Sequence, residues 1–168
     1  MLTLFGGRSS VRQSDTGRFG HSEVVRGRTP AGSEPVRVVV ADGDRAFLET
    51  LRAALESDAR VEIVGAAASA SELLDLVDIL APDIALVDVD LYPHGATSAI
   101  EDIGRLGSST PVLVLVHDEA QSDLWHARPS GAAGYLRKDT GVDGLRESFF
   151  EVASLVGAFA GGPPRRDR

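Results

Sequence analysis

Four charged residues have the types and setting to do chemistry together. Asp42 and Asp44 lie in Ala41-Asp-Gly-Asp44, directly after the β-branched run Val36-Arg-Val-Val-Val40. Asp88 closes the apolar run Ile84-Ala-Leu-Val87. Lys138, the only lysine among 17 basic residues, follows the short run Ala132-Ala-Gly-Tyr-Leu136. A carboxylate at the end of a buried run costs several kcal/mol if it stays unpaired, so it needs a partner or an opening to solvent. Brought together, carboxylates repel by about 4 kcal/mol per pair at ~4 Å and an effective dielectric near 20. Their pKa values must rise or a cation must sit among them. The converging run ends are expected to carry only oxygen donors, with no histidine or cysteine, and that donor set suits Mg²⁺. A carboxylate nucleophile, a hard cation and a point-charge ammonium are the components of phosphoryl transfer.

These residues can meet only if the elements bearing them are neighbours. Short apolar runs bounded by turn residues read as strands of a parallel sheet buried on both faces. Five such runs are present: Val36–Val40, Val61–Val64, Ile84–Val87, Val112–Val116 and Ala132–Leu136. Helical patterns alternate with them. Phe47, Leu48, Leu51, Ala54 and Leu55 fall on one helix face, as do Leu73, Leu74, Val77 and Leu80. Ser69 with Glu72, and Ser98 with Glu101, read as capping boxes that start the second and third helices. Ala120, Leu124 and Trp125 suggest a fourth helix limited by Pro129, and Leu145, Phe149, Val152 and Val156 a last one. Five strands alternating with five helices predict an α/β flavodoxin-like (βα)5 three-layer sandwich, with a parallel five-stranded sheet in the order 2-1-3-4-5. In that order the first and third strands adjoin at the switch point, and Asp42, Asp44 and Asp88 converge on one crevice.

Composition bounds the rest. The chain has 168 residues, 43% of them apolar, and no cysteine, which excludes disulfides and thiolate metal sites. Its apolar runs are too short to span a membrane, and Met1–Phe5 lacks the form of a signal peptide, so a cytoplasmic location is expected. Residues 1–35 hold five arginines against three acids, have no apolar period, and read as a disordered tail; residues 159–168 read as another. Residues 36–160 carry 21 acids against nine bases, which argues against nucleic-acid binding by the body. No Gly-x-Gly-x-x-Gly follows the first strand, so a dinucleotide enzyme is disfavoured. Asp88-Val-Asp90 mimics the Asp-x-Asp of haloacid-dehalogenase-type phosphatases, but in them the nucleophile precedes the acidic cluster rather than following it.

Pro82-Asp-Ile-Ala-Leu-Val-Asp88 and Gly131-Ala-Ala-Gly-Tyr-Leu-Arg-Lys-Asp-Thr140 resemble two motifs of the receiver domains of two-component response regulators. The likeness runs over residues 36–156, implies a receiver domain at 36–158, and is greatest to regulators of the LuxR type. It implies a phospho-accepting receiver in a phosphorelay, acting through protein contacts and not as an enzyme. Its partners would be a sensor histidine kinase or other phosphodonor and a downstream regulatory protein, with homodimerisation compatible. Too few residues follow the last helix for a helix-turn-helix, so neither direct DNA binding nor membrane contact is expected of this chain.

Carried over residue by residue, the resemblance makes Asp88 the phospho-acceptor and Lys138 the partner of the phosphoryl oxygens. Asp42, Asp88 and the Asp90 carbonyl become ligands of Mg²⁺, and Tyr135 takes the aromatic switch position. Three departures stand out. Gly43 replaces the second acid of the pair, with Asp44 one residue late as a substitute ligand. Val116 replaces the Ser/Thr whose hydroxyl would bond the phosphoryl group. In the loop after Asp88, Pro93 falls one place late and Gly95 one place early. The expectation is Mg²⁺ binding weaker than in ordinary receivers and poor transmission of phosphorylation, or a pseudo-receiver that works by binding alone.

Overall fold

The computed structural model describes residues 3–4, 34–118 and 131–159. Six strands form one sheet: β1 (Thr3–Leu4), β2 (Val36–Ala41), β3 (Val61–Ala67), β4 (Ile84–Asp88), β5 (Val112–Val116) and β6 (Gly134–Arg137). The described helices are α1 (Arg45–Glu56), α2 (Ala70–Leu80), α3 (Gly95–Arg105) and α4 (Gly141–Leu155), with a 3₁₀ turn at Lys138–Thr140. The sheet order is β1-β3-β2-β4-β5-β6. All pairs are parallel except β1 with β3, where Thr3 faces Ala66 and Leu4 faces Gly65. The five parallel strands therefore stand in the expected 2-1-3-4-5 order.

The strands are buried on both sides because helices cover both faces. Val38, Val40, Ile84, Leu86, Leu113, Leu115 and Leu136 pack with α1 and α4. Val39, Ala85, Val87, Val112, Val114 and Val116 pack with α2 and α3. Each fully buried aliphatic side chain contributes about 1.5–3 kcal/mol of transfer free energy. Register then sets the site. Ala41 pairs with Val87, Asp88 with Leu115 and Val116 with Arg137, so Asp42, Asp88, His117 and Lys138 leave the sheet side by side at its carboxyl edge.

Several boundaries differ from the sequence reading. Thr3–Leu4, which the composition places in a disordered tail, add an antiparallel edge to β3; a two-residue strand gives no periodicity to read. The remainder of 1–35, the helix expected around Ala120–Trp125 and residues 160–168 lie outside the described residues. Phe159, expected in the second tail, packs against the core, its ring 5.5 Å from that of Phe150 and 6.5 Å from that of Phe149. The Ser69–Glu72 cap forms: Ser69 Oγ accepts from Glu72 N, and Glu72 Oε2 accepts from Ala68 N at 2.9 Å.

The Ser98–Glu101 cap does not form. Helix α3 begins three residues before Ser98, where Gly95 N donates to Leu91 O and Ala96 N to Val89 O. Gly95 has φ +74° and its backbone lies so near Val89 O that a Cβ would come within 2.7 Å. Only glycine supports that early turn, and it leaves Ser98 inside the helix.

Candidate functional site

Asp42 and Asp88 are the buried charged residues among those described, 2% and 6% exposed. Each is placed by a strand end. Asp42 N is tied to Ala67 O at 3.0 Å, and Asp42 Oδ1 accepts from Asp44 N at 2.8 Å, which closes the loop over Gly43. Asp44 then caps α1, its Oδ1 accepting from Ala46 N and Phe47 N at 3.0 and 3.1 Å. The expected role of Asp44 as a substitute metal ligand competes with this cap. Gly43 has nothing within 4 Å of where a Cβ would stand, so its side of the cavity is open.

Lys138 bridges the two buried carboxylates. Its side chain is 10% exposed; Nζ donates to Asp42 Oδ2 at 2.5 Å and lies 2.8 Å from Asp88 Oδ1. The second contact is close but off-axis, so it is an ion pair without a directed hydrogen bond, and Asp88 Oδ1 has no directed hydrogen-bond partner. The same ammonium stands 4.5 Å from the centroid of the Phe47 ring. Burial pushes the Asp88 carboxyl above its ordinary range; Lys138 pulls it down, Asp42 pushes it further up, and the net direction is upward. Burial also works against the Lys138 charge, but the hydrogen bond to Asp42 and the close carboxylate of Asp88 outweigh it and hold its pKa above the usual lysine value.

These residues line a cavity of about 430 Å³ with Gly43, Asp44, Phe47, Asp90, Tyr92 and His117. The oxygens of Asp42 are engaged by Asp44 N and Lys138, Asp88 lies inside the cavity, and Asp90 is exposed at its mouth. Among the described residues no three of His, Cys, Asp and Glu converge with metal-ligand spacing. Val116 is 1% exposed and its side chain is packed in the α2/α3 layer. Tyr135, on β6, is 44% exposed.

Two neighbours of the site were not legible as such. Phe47 reads in sequence as an ordinary helix-face residue but sits over Lys138. The expectation that no histidine converges there is corrected by His117, whose Nε2 lies 3.9 Å from Asp88 Oδ1 and 3.7 Å from Asp90 Oδ2. The signal was its position one residue past β5, since β5 neighbours the strand bearing Asp88.

A family model described as the response regulator receiver domain matches residues 38–150. The chain is 29% identical over 119 residues to the transcriptional regulatory protein DegU of Brevibacillus brevis, covering 70% of this chain and 50% of DegU. It is 27% identical over 114 residues to the nitrate/nitrite response regulator protein NarP of Escherichia coli, covering 68% and 53%. Among solved structures, the signal receiver domain of the response regulator NarL from Mycobacterium tuberculosis superposes with a TM-score of 0.65 at 30% identity, covering 72% of this chain and 98% of that one. The chain thus spans about half the length of such curated relatives. Among the described residues no helix is long and apolar enough to cross a membrane.

Proposed function

The chain belongs to the response-regulator receiver domain family, and from that premise we propose that Asp88 accepts a phosphoryl group and passes the signal on through protein contacts. The observation that carries this is the buried Asp42–Lys138–Asp88 bridge at the carboxyl edge of the sheet. An aspartate carboxylate at a strand end that opens into a cavity can act as a nucleophile toward phosphorus. An Asp88 oxygen forms the P–O bond as the P–N bond of a phosphohistidine, or the P–O bond of an acyl phosphate, breaks; a leaving imidazole takes up a proton, and an acyl phosphate leaves as carboxylate. The Lys138 ammonium balances charge on the phosphoryl oxygens from inside the cavity. Water later takes the group from Asp88 as inorganic phosphate, so the residue is a transient acceptor.

The residues fit one Mg²⁺ held chiefly by water. Asp88 Oδ1 is a buried oxygen without a directed hydrogen bond, and Asp90 stands at the open mouth. Gly43 supplies no carboxylate, and Asp44 is turned to the α1 cap. Such an ion would neutralise charge gathering on the transferred phosphoryl oxygens. The phosphodonor is a histidine kinase or an acyl phosphate, and the partner downstream is a regulatory protein. Residues 36–160, with 21 acids against nine bases, are assigned no DNA contact.

Intact mass spectrometry after incubation with acetyl phosphate and Mg²⁺ tests the reading. Wild type should gain one phosphoryl group at Asp88, and Asp88→Asn none. A phosphate mapped to Asp42, Asp44 or Asp90 with Asp88 unmodified overturns the assignment. The absence of any label under these conditions favours a second reading, a phosphorylation-independent binding module, to which Gly43 and the buried apolar Val116 point.

A further inference from the structure

We propose that His117 supplies, from the mouth of the cavity, the hydrogen bond to a phosphoryl oxygen on Asp88 that Val116 cannot give. The inference rests on Asp88 being the acceptor. Val116 has no polar side-chain atom and is fully packed in the α2/α3 layer. The register fixes what comes next. Asp88 faces Leu115, and Val89 N donates to Leu115 O at 2.9 Å, so the residue after Val116 emerges beside the loop that follows Asp88. That residue is His117, with a side chain 60% exposed.

Its Nε2 stands 3.9 Å from Asp88 Oδ1 and 3.7 Å from Asp90 Oδ2. Neither separation is a hydrogen bond. An exposed imidazole–carboxylate pair at the Asp90 distance adds little stability, so holding Asp90 does not explain the position. The imidazole is instead set back from the carboxylate by about the reach of an added group. The non-bridging oxygens of a phosphoryl group on Asp88 lie beyond the carboxylate oxygen, toward the mouth. An Nε2–H turned toward one of them would come into the roughly 2.7–3.2 Å range of an N–H···O bond. Lys138, 2.8 Å from the same carboxylate and buried, holds the group from the inner side. The group would thus be bracketed by an ammonium within and an imidazole without.

The test measures affinity for beryllium fluoride, a phosphoryl mimic, in Mg²⁺ by calorimetry on the full chain, with the lifetime of the Asp88 phosphate as a second readout. His117→Ala should weaken binding about tenfold to a hundredfold, the range of one charge-assisted hydrogen bond. His117→Gln keeps an N–H donor and should retain most of the affinity. Val116→Thr in the His117→Ala background should restore most of what was lost, because the hydroxyl takes over the same bond. Binding by His117→Ala within about twofold of wild type would overturn the inference. So would an equal loss in His117→Gln combined with no rescue by Val116→Thr. If wild type takes up neither beryllium fluoride nor phosphate at Asp88, it is the acceptor reading that fails. If wild type binds and His117→Ala binds alike, the role of His117 alone fails.

Discussion

Lys138→Met tests whether the ammonium is what allows two buried carboxylates to coexist. Methionine keeps much of the apolar stem and its contact with Phe47 but removes the charge 2.5 Å from Asp42 Oδ2 and 2.8 Å from Asp88 Oδ1. Removing one partner of a buried pair costs about 3–5 kcal/mol. Against a total of roughly 5–15 kcal/mol for a domain, that is a large share. It should lower Tm by roughly 10–25 °C. The loss should depend on pH. Asp88 has a folded pKa raised above its ordinary 3.8, so its contribution is fully present below that value and is lost as pH rises through the raised pKa. The Lys138 contribution, with a pKa raised above 10.5, is present across the whole acidic and neutral range in wild type and absent in the variant. The deficit is therefore greatest near neutrality and shrinks as pH falls through the raised Asp88 pKa. Adding Asp88→Asn to Lys138→Met removes one stranded charge and should recover at least half of the loss at neutral pH. The assay is urea unfolding followed by circular dichroism in chelator, at pH 7.5 and pH 5. A loss under about 1 kcal/mol, a loss equal at both pH values, or no recovery with Asp88→Asn would refute the reasoning.

Gly43→Asp places a carboxylate in open space beside the cavity, and its φ is not in the left-handed region, so the substitution brings no clash. One added charge ~4 Å from a divalent ion in water-like surroundings gives about 2 kcal/mol of attraction, partly offset by repulsion from Asp42 and Asp88. Titration calorimetry should show Mg²⁺ binding about tenfold tighter, and no gain would show that position 43 does not face the ion. Asp44→Ala removes both cap bonds of α1 and should cost about 1 kcal/mol in thermal unfolding while leaving Mg²⁺ affinity within about twofold. A tenfold loss of Mg²⁺ affinity would instead make Asp44 a ligand.

The parallel core was legible because its signal is collective. A run such as Val112-Leu-Val-Leu-Val116 can be buried on both faces only if helices cover both, and alternation with helical periods then leaves few topologies. Signals carried by one or two residues were less reliable. Ser98 and Glu101 have capping-box spacing, but the tight approach of Gly95 to Val89 O lets α3 begin a turn earlier. Thr3 and Leu4 carry no pattern at all; they become a strand through the free edge of β3.

The site divides along the same line. Asp42, Asp88 and Lys138 meet because strand order and register bring three strand ends together, and the pairing of Ala41 with Val87 and of Val116 with Arg137 is enough to place them. What each side chain then bonds to depends on competition that spacing does not reveal. Asp44 is the clear case. A carboxylate three residues after a strand serves equally as a metal ligand or as a helix N-cap, and here its Oδ1 accepts from two backbone N–H groups at the start of α1. Asp42 is drawn the same way, one oxygen to Asp44 N and the other to Lys138. The cavity is thus left with fewer carboxylate oxygens than the residue count suggests. With Gly43 adding none, the charge balance around Asp88 falls chiefly to Lys138, and the imidazole of His117 stands at the mouth.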